Sequence, residues 1–136
     1  MQLKNKKTTL ILLILTSYLY AFSQTPDDRE VVYLEFKPNL SEKYKINTIC
    51  NYTTFYIDGV RFVNDNRISP DTIDCRSLKK LTFRKPPYLE DKRRDLIKKN
   101  TIFMVKSPFK QIFIILKEQN HCLRYMVEWE PDWVQE

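Results

Sequence analysis

The sequence predicts an α+β protein built mainly of antiparallel β-sheet, with about seven strands and one amphipathic helix near residues 88–99. Three observations lead to this prediction. Segments of alternating, β-branched or aromatic residues recur along the chain. Asp58-Gly59 joins two such segments, which is typical of a β-hairpin, because a type I′ turn needs positive φ at both central residues. Residues 88–100 place Glu90 and Asp91 in the expected first turn and Lys98 and Lys99 in the last, which suits a helix dipole.

The predicted strands follow from this patterning. Residues 109–116 are apolar on both faces from Ile112 onward, which indicates a central strand covered on both sides. Residues 122–129 alternate, which indicates one covered face and one polar face. Ser69-Pro70-Asp71 has the residue types of a short helix start that ends near Cys75. Pro86-Pro87 is expected to break the chain. The seven predicted strands cover residues 31–37, 46–58, 60–63, 77–83, 101–105, 109–116 and 122–129.

Residues 1–23 have the three parts of a secretory signal peptide. Three lysines precede an apolar run, and Ala21-Phe22-Ser23 supplies small residues at the −3 and −1 positions, so we expect cleavage before Gln24. The alternative is an uncleaved anchor helix, but the apolar stretch of residues 8–22 is shorter than the roughly 20 residues that span a bilayer. Residues 24–136 are then a single small β-rich domain of 113 residues, exported to the periplasm, cell surface or medium. Its formal charge falls from +6 to +3.

The chain has three cysteines, Cys50, Cys75 and Cys122. Because an exported chain meets an oxidising compartment, two of them are candidates for one disulfide, and the sequence does not choose among the three pairings. The alternative is three buried, reduced thiols. Their spacing matches no zinc ligand pattern.

One glycine and one histidine exclude several functions. Glycine-rich phosphate loops, dinucleotide fingerprints and most nucleophile elbows need more glycines, and many metal sites need two or more histidines. We therefore predict no cofactor, no metal and no enzymatic activity. Two catalytic alternatives stay open: His121 with Cys50 or Cys75 as a nucleophile–base pair, and Glu128 with Glu130 as an acid/base pair of a small hydrolase.

Positive charge is concentrated in residues 76–110, which hold twelve Lys/Arg and three Asp/Glu. This segment is a candidate face for an anionic partner, although we favour an ordinary solvated helix face. Nucleic acid is not expected as a partner, because no recognition motif is present. The candidate basic residues are Lys79, Lys80, Arg84, Lys85, Lys92, Arg93, Arg94, Lys98 and Lys99.

Aromatic residues near the end of the chain fit either a binding platform or the core, and their alternation favours the core. Asn51-Tyr52-Thr53 matches the N-glycosylation sequon, which matters only in a eukaryotic source. Asp71-Thr72-Ile73 resembles the O-glycosylation motif of exported Bacteroidota proteins, with Thr72 as the acceptor, and the Phe-Ser-Gln junction resembles signal peptides of the same group. The aromatic candidates are Phe113, Tyr125, Trp129 and Trp133.

Residues 56–60 (YIDGV) resemble the opening strand and turn of plug-type domains in TonB-dependent outer-membrane receptors. Residues 68–73, 77–83 and 100–106 follow in the order of the family's Pro-led turn and its next two strands. The family's Tyr-Gly motif is absent, Thr101 stands where a glycine is usual, and no β-barrel follows. The resemblance implies a small exported binding module and not a receptor.

These observations together predict a small exported, non-enzymatic binding protein of the cell envelope, whose partner is a protein or an anionic envelope component. The alternative is a secreted inhibitor of a hydrolase that inserts either the Asp58-Gly59 hairpin tip or the Pro86-Pro87 loop. A small hydrolase is the third reading.

Overall fold

The computed structural model describes residues 9–15, 27–99 and 107–131. Residues 9–15 are helical, and their leucine and isoleucine side chains are exposed. No helix within the described residues is long and apolar enough to cross a membrane. The remaining elements are eight strands, a 3-10 helix (Cys75–Lys80) and an α-helix (Pro86–Lys99). The strands are β1 (Glu30–Phe36), β2 (Tyr44–Ile49), β3 (Tyr52–Ile57), β4 (Val60–Asp65), β5 (Asp71–Ile73), β6 (Phe83–Arg84), β7 (Phe109–Lys117) and β8 (Cys122–Glu130).

The strands form one sheet in the order β2-β3-β4-β8-β7-β1-β6, with β5 paired to β8. β1 pairs in parallel with β6 and β7, and the five other pairings are antiparallel. The predicted class, an α+β fold dominated by antiparallel sheet with one main helix, is confirmed.

The strand predicted to be central, β7, lies between β8 and β1 in the sheet. Val32, Ile112 and Val127 lie side by side across the three strands on what we call the inner face. Ile114 and Ile115 point to opposite faces and are both buried. The prediction that this strand is covered on both sides is therefore confirmed.

The sheet curls so strongly that its inner face closes on itself. β1 and β3 are four strand spacings apart in the sheet order, about 19 Å if the sheet were flat. Yet the rings of Phe36 on β1 and Phe55 on β3 have centroids only 5.4 Å apart. Phe55 also lies 5.0 Å from Tyr125 on β8. One aromatic core therefore fills the curl, and the opposite side of the sheet is an outer face.

Two tight turns shape the β2-β3-β4 ribbon. Asp58 and Gly59 have φ values of 51° and 79° and join β3 to β4, which is the geometry the dipeptide predicts. The predicted single strand over residues 46–58 is wrong, because it divides into β2 and β3. Cys50 takes a φ of 52° at the turn between them, which reverses the chain inside that segment.

Two further predictions fail between residues 69 and 83. The predicted helix start at Ser69-Pro70 is wrong, because residues 71–73 instead pair with β8 as β5, where Asp71 accepts a 2.7 Å bond from Arg124. The predicted strand over residues 77–83 is also wrong. A 3-10 helix forms there, and its N-cap Asp74 accepts the backbone N–H of Arg76 at 2.9 Å.

The α-helix covers the predicted residues 88–99 and begins two residues earlier. Pro86 is buried within its first turn, and Leu89 is buried in the core. Proline suits a helix N-terminus because its missing N–H is not needed there. The predicted Pro86-Pro87 loop is therefore wrong, because both prolines belong to the helix. The predicted strand over residues 101–105 lies outside the described residues.

Candidate interaction surface

The structure pairs Cys75 with Cys122 in a disulfide with a Cα–Cα distance of 5.4 Å and leaves Cys50 free and exposed. This choice removes Cys75 as a nucleophile. His121 lies in the turn before β8 and approaches Glu118, with 2.9 Å between Nε2 and Oε2. Of the two predicted Cys–His pairings, only the one with Cys50 keeps a free thiol.

The two carboxylates of the predicted acid/base pair, Glu128 and Glu130, have different surroundings. Glu130 forms an ion pair with Arg61 at 3.2 Å, whereas Glu128 faces a surface groove. The described residues hold no group of three His, Cys, Asp or Glu side chains that could bind a metal ion.

The structure spreads the candidate basic residues over the 3-10 helix, β6 and the α-helix. Arg84 lies 3.6 Å from Glu30 and 4.1 Å from the centroid of the Tyr88 ring. Tyr88 donates a 2.6 Å hydrogen bond to Glu30, which raises the pKa of the Tyr88 hydroxyl. Arg94 pairs with Glu90 at 3.5 Å. Lys92 also lies over the Tyr88 ring, 5.7 Å from its centroid, so Arg84 and Lys92 flank the same aromatic side chain.

The aromatic residues predicted for the core do pack inward. Tyr125 contacts Phe55, and Trp129 lies 6.1 Å from Phe109 between ring centroids. Burial raises the pKa of the Tyr125 hydroxyl. Phe113 is different, because it lies on the outer face and stacks on Tyr33 at 5.6 Å. Trp133 lies outside the described residues.

A groove of about 670 Å³ lies where β4, β7 and β8 separate. β4 and β8 pair only from Arg61 to Val63, and beyond that point Asn64 bridges the gap. This asparagine is 2% exposed, and its Nδ2 donates a 2.7 Å hydrogen bond to the carbonyl of Met126. At the fork, where β4 and β8 stop pairing through their backbones, a side-chain hydrogen bond joins the two strands.

Exposed apolar side chains gather around this groove. Tyr52, Ile68 and Met126 line it and are 49%, 50% and 42% exposed. Ile49, directly opposite Tyr52 in the β2–β3 register, is 63% exposed on the same outer face. Clustered exposed apolar side chains are typical of interaction sites, whereas single ones are ordinary.

Two Asp-x-Arg pairs each contribute one charged residue, Arg29 or Asp65, to the lining of the groove. Arg29 holds Asp27 through its side chain and backbone N–H, which lowers the pKa of Asp27 to about 2. Arg67 likewise lowers the pKa of Asp65. The same Asp-x-Arg spacing recurs at residues 74–76, a repeat that the sequence displays and that our sequence reasoning missed. The groove charges with no ion pair among the described residues belong to Lys110 and Glu128, which lie near its apolar rim.

The other predicted site residues are at the surface. Thr72 is exposed on the short strand β5, and Asp58 and Gly59 are exposed at the β3–β4 tip. The hairpin tip is therefore accessible, as an inhibitory loop would need to be.

Comparison with known protein families, curated proteins and solved structures finds no match for this chain. The resemblance to plug-type domains stays a prediction. Of its three supporting segments, residues 77–83 form no single strand, and residues 100–106 lie outside the described residues.

Proposed function

We propose that this chain is a small exported protein that acts by binding a partner protein through the groove between β4, β7 and β8, without catalysing a reaction. The observation that carries the proposal is the apolar rim of that groove, where Tyr52, Ile68 and Met126 are each about half exposed. Burying such side chains against a partner is favourable by about 25 cal/mol for each Å² of apolar surface.

Export is supported by two features. The leader-like residues 1–23 precede the domain, and the exposed apolar helix of residues 9–15 lies within them. The Cys75–Cys122 disulfide is compatible with an oxidising compartment. Expression of the full chain with a C-terminal tag, followed by fractionation and N-terminal sequencing, should give an exported protein that begins at Gln24. Retention of an intact N-terminus would contradict this part of the proposal.

The binding site is tested by photo-cross-linking in the native host. A photoreactive amino acid is placed at Ile68 in the groove, at Asp58 on the hairpin tip, or at Lys79 on the distant 3-10 helix. We expect a discrete adduct with one protein from position 68 and none from position 79. Adducts from position 58 alone would contradict the groove and favour the hydrolase-inhibitor alternative, in which the hairpin tip makes the contact.

A matched pair of variants checks that the contact is apolar. Met126→Lys places a charge on the rim, whereas Met126→Leu keeps its volume and apolar character. The adduct from position 68 should be lost in the first variant and kept in the second. Equal adducts in both variants would contradict a contact made through the apolar rim.

A further inference from the structure

β2 is an edge strand that is exposed along almost its whole length. It pairs with β3 on one side and, among the described strands, with none on the other. Five of its six residues are exposed, and Ile46 is 49% exposed. An edge of this kind presents backbone N–H and C=O groups in the spacing that another strand needs.

The register shows which backbone groups point away from the sheet. The N–H of Asp58 donates to the carbonyl of Lys43 at 2.8 Å, so Lys43 is hydrogen-bonded toward β3. Antiparallel ladders alternate between hydrogen-bonded and non-hydrogen-bonded pairs. The residues at 45, 47 and 49 therefore bond toward β3, and the N–H and C=O groups of Ile46 and Thr48 point outward.

The side chains of β2 indicate the chemistry of a strand that would fit there. Lys45 lies on the outer face opposite Tyr56, and Lys43 lies in the turn immediately before β2. Both are exposed, and neither has a carboxylate within ion-pairing distance among the described residues. Opposite charges on adjacent strands stabilise their pairing, and like charges oppose it. An acidic strand therefore fits this edge better than a second copy of β2, which would bring its own lysines.

We propose that the partner presents an extended acidic segment that adds to β2 as a ninth strand, with an acidic residue facing Lys45, apolar residues facing Ile46, and further negative charge near Lys43 at the start of the strand. This inference rests on the proposed binding function and names the form of its partner. The outward groups of Ile46 and Thr48 supply the main-chain hydrogen bonds, and the side-chain alternation supplies the selectivity.

Cys50, beside the end of β2, offers a reporter for the experiment. It is exposed and free, and the other two cysteines are held in the disulfide. The mature protein is labelled at Cys50 with an environment-sensitive fluorophore and titrated with three eight-residue peptides. The first alternates valine and aspartate, the second alternates valine and lysine, and the third is the first with prolines in place of the valines, which removes the amide donors.

We expect the Val/Asp peptide to bind and the proline peptide to give no shift. Lys45→Glu should weaken the Val/Asp peptide by about tenfold and improve the Val/Lys peptide. Lys117→Glu makes the same charge change at the end of β7 and should leave both affinities unchanged. Thr48→Pro removes one outward donor at a position where β3 is not hydrogen-bonded, and should also weaken binding.

Binding of the proline peptide at equal strength, insensitivity to Lys45→Glu, or no binding of the Val/Asp peptide at millimolar concentration would each overturn the proposal. The groove is tested separately. If the photo-adduct from position 68 forms normally in Lys45→Glu, the proposed function stands while the β2 inference falls. If the peptides bind as expected but position 68 gives no adduct, β2 still binds an acidic strand, and the groove is not the contact surface.

Discussion

Replacing Cys75 and Cys122 together with alanine should lower the free energy of unfolding by about 4 kcal/mol. The bond ties the start of the 3-10 helix to the start of β8 across a sequence separation of 47 residues. The loop-entropy relation for that length gives about 13.6 cal/mol/K, which corresponds to about 4 kcal/mol at 25 °C. The stabilisation arises because the cross-link restricts the unfolded chain, so its loss does not require any change in the folded contacts.

Urea unfolding followed by tryptophan fluorescence measures this effect. With an m-value of about 2 kcal/mol/M, the midpoint should fall by about 2 M urea. Cys50→Ala is the matched control, since it removes a cysteine that forms no bond, and its midpoint should stay close to that of the natural chain. Adding a reductant to the Cys50→Ala protein should reproduce the shift seen in the double variant.

Two results would refute this reasoning. One is a double variant whose midpoint lies within about 0.3 M urea of the Cys50→Ala control, a difference inside the error of the method. The other is a peptide map under non-reducing conditions that joins Cys50 to Cys75 or Cys122, since the structure assigns the bond to the latter two.

Three further predictions concern the turn at Gly59, the bond of Asn64 at the fork between β4 and β8, and the ion pair of Asp27 with Arg29. Gly59→Val should lower the free energy of unfolding in urea by about 1–2 kcal/mol. The φ of Gly59 is +79° and an added Cβ meets no atom within 4 Å, so backbone strain alone decides the cost. Gly59→Asn should cost clearly less, and equal costs would contradict this reasoning. Asn64→Ala should cost about 1–3 kcal/mol, because it leaves the carbonyl of Met126 without its 2.7 Å donor; an unchanged midpoint would show that the bond does not stabilise the fork. Carbon-detected NMR titration should place the pKa of Asp27 near 2, and Arg29→Gln should return it toward 3.8. Since this pKa is lowered by folding, its contribution to stability is present above about pH 4 and is lost as the pH falls toward 2, and Arg29→Gln should flatten that part of the pH dependence.

The sequence predicted best those strands whose own side-chain pattern favours extended backbone, with no contact elsewhere in the fold that imposes another conformation. β1 and β7 have apolar side chains at the spacing of a strand and bury Val32, Leu34 and Phe36 in β1 and Ile112 and Ile114 in β7 at that spacing. In β8, Val127 is buried, and Leu123, Tyr125 and Trp129 on the same face are half-buried. The turn at Asp58-Gly59 is similarly local, because its conformation depends on the freedom of two residues. The helix of residues 86–99 ends with Lys98 and Lys99 in its last turn, as predicted. Its earlier start leaves Glu90 and Asp91 outside the first turn, so the predicted acidic N-terminus is wrong.

The segments that were predicted wrongly depend on distant partners. Residues 71–73 form β5 because β8 offers an open edge where its pairing with β4 has ended, and Asn64 joins β4 to β8 at that end through the carbonyl of Met126. Residues 77–83 have apolar residues that fit a strand, yet the Asp74 cap and the bond from Cys75 to Cys122 fix the 3-10 helix there. Cys50 lies within a run that reads as one strand, and its positive φ creates an unexpected turn.

By itself, the sequence determined the fold class, the central strand β7 and the hairpin turn, because each depends on the preferences of consecutive residues. The tertiary structure alone decided the disulfide pairing and the groove. Tyr52, Ile68 and Met126 are far apart in the chain and meet only because β4 and β8 separate on the outer face of a curled sheet. The tertiary structure alone also decided that β2 is an edge strand. A sequence pattern predicts a strand in the same way whether that strand pairs on one side or on both.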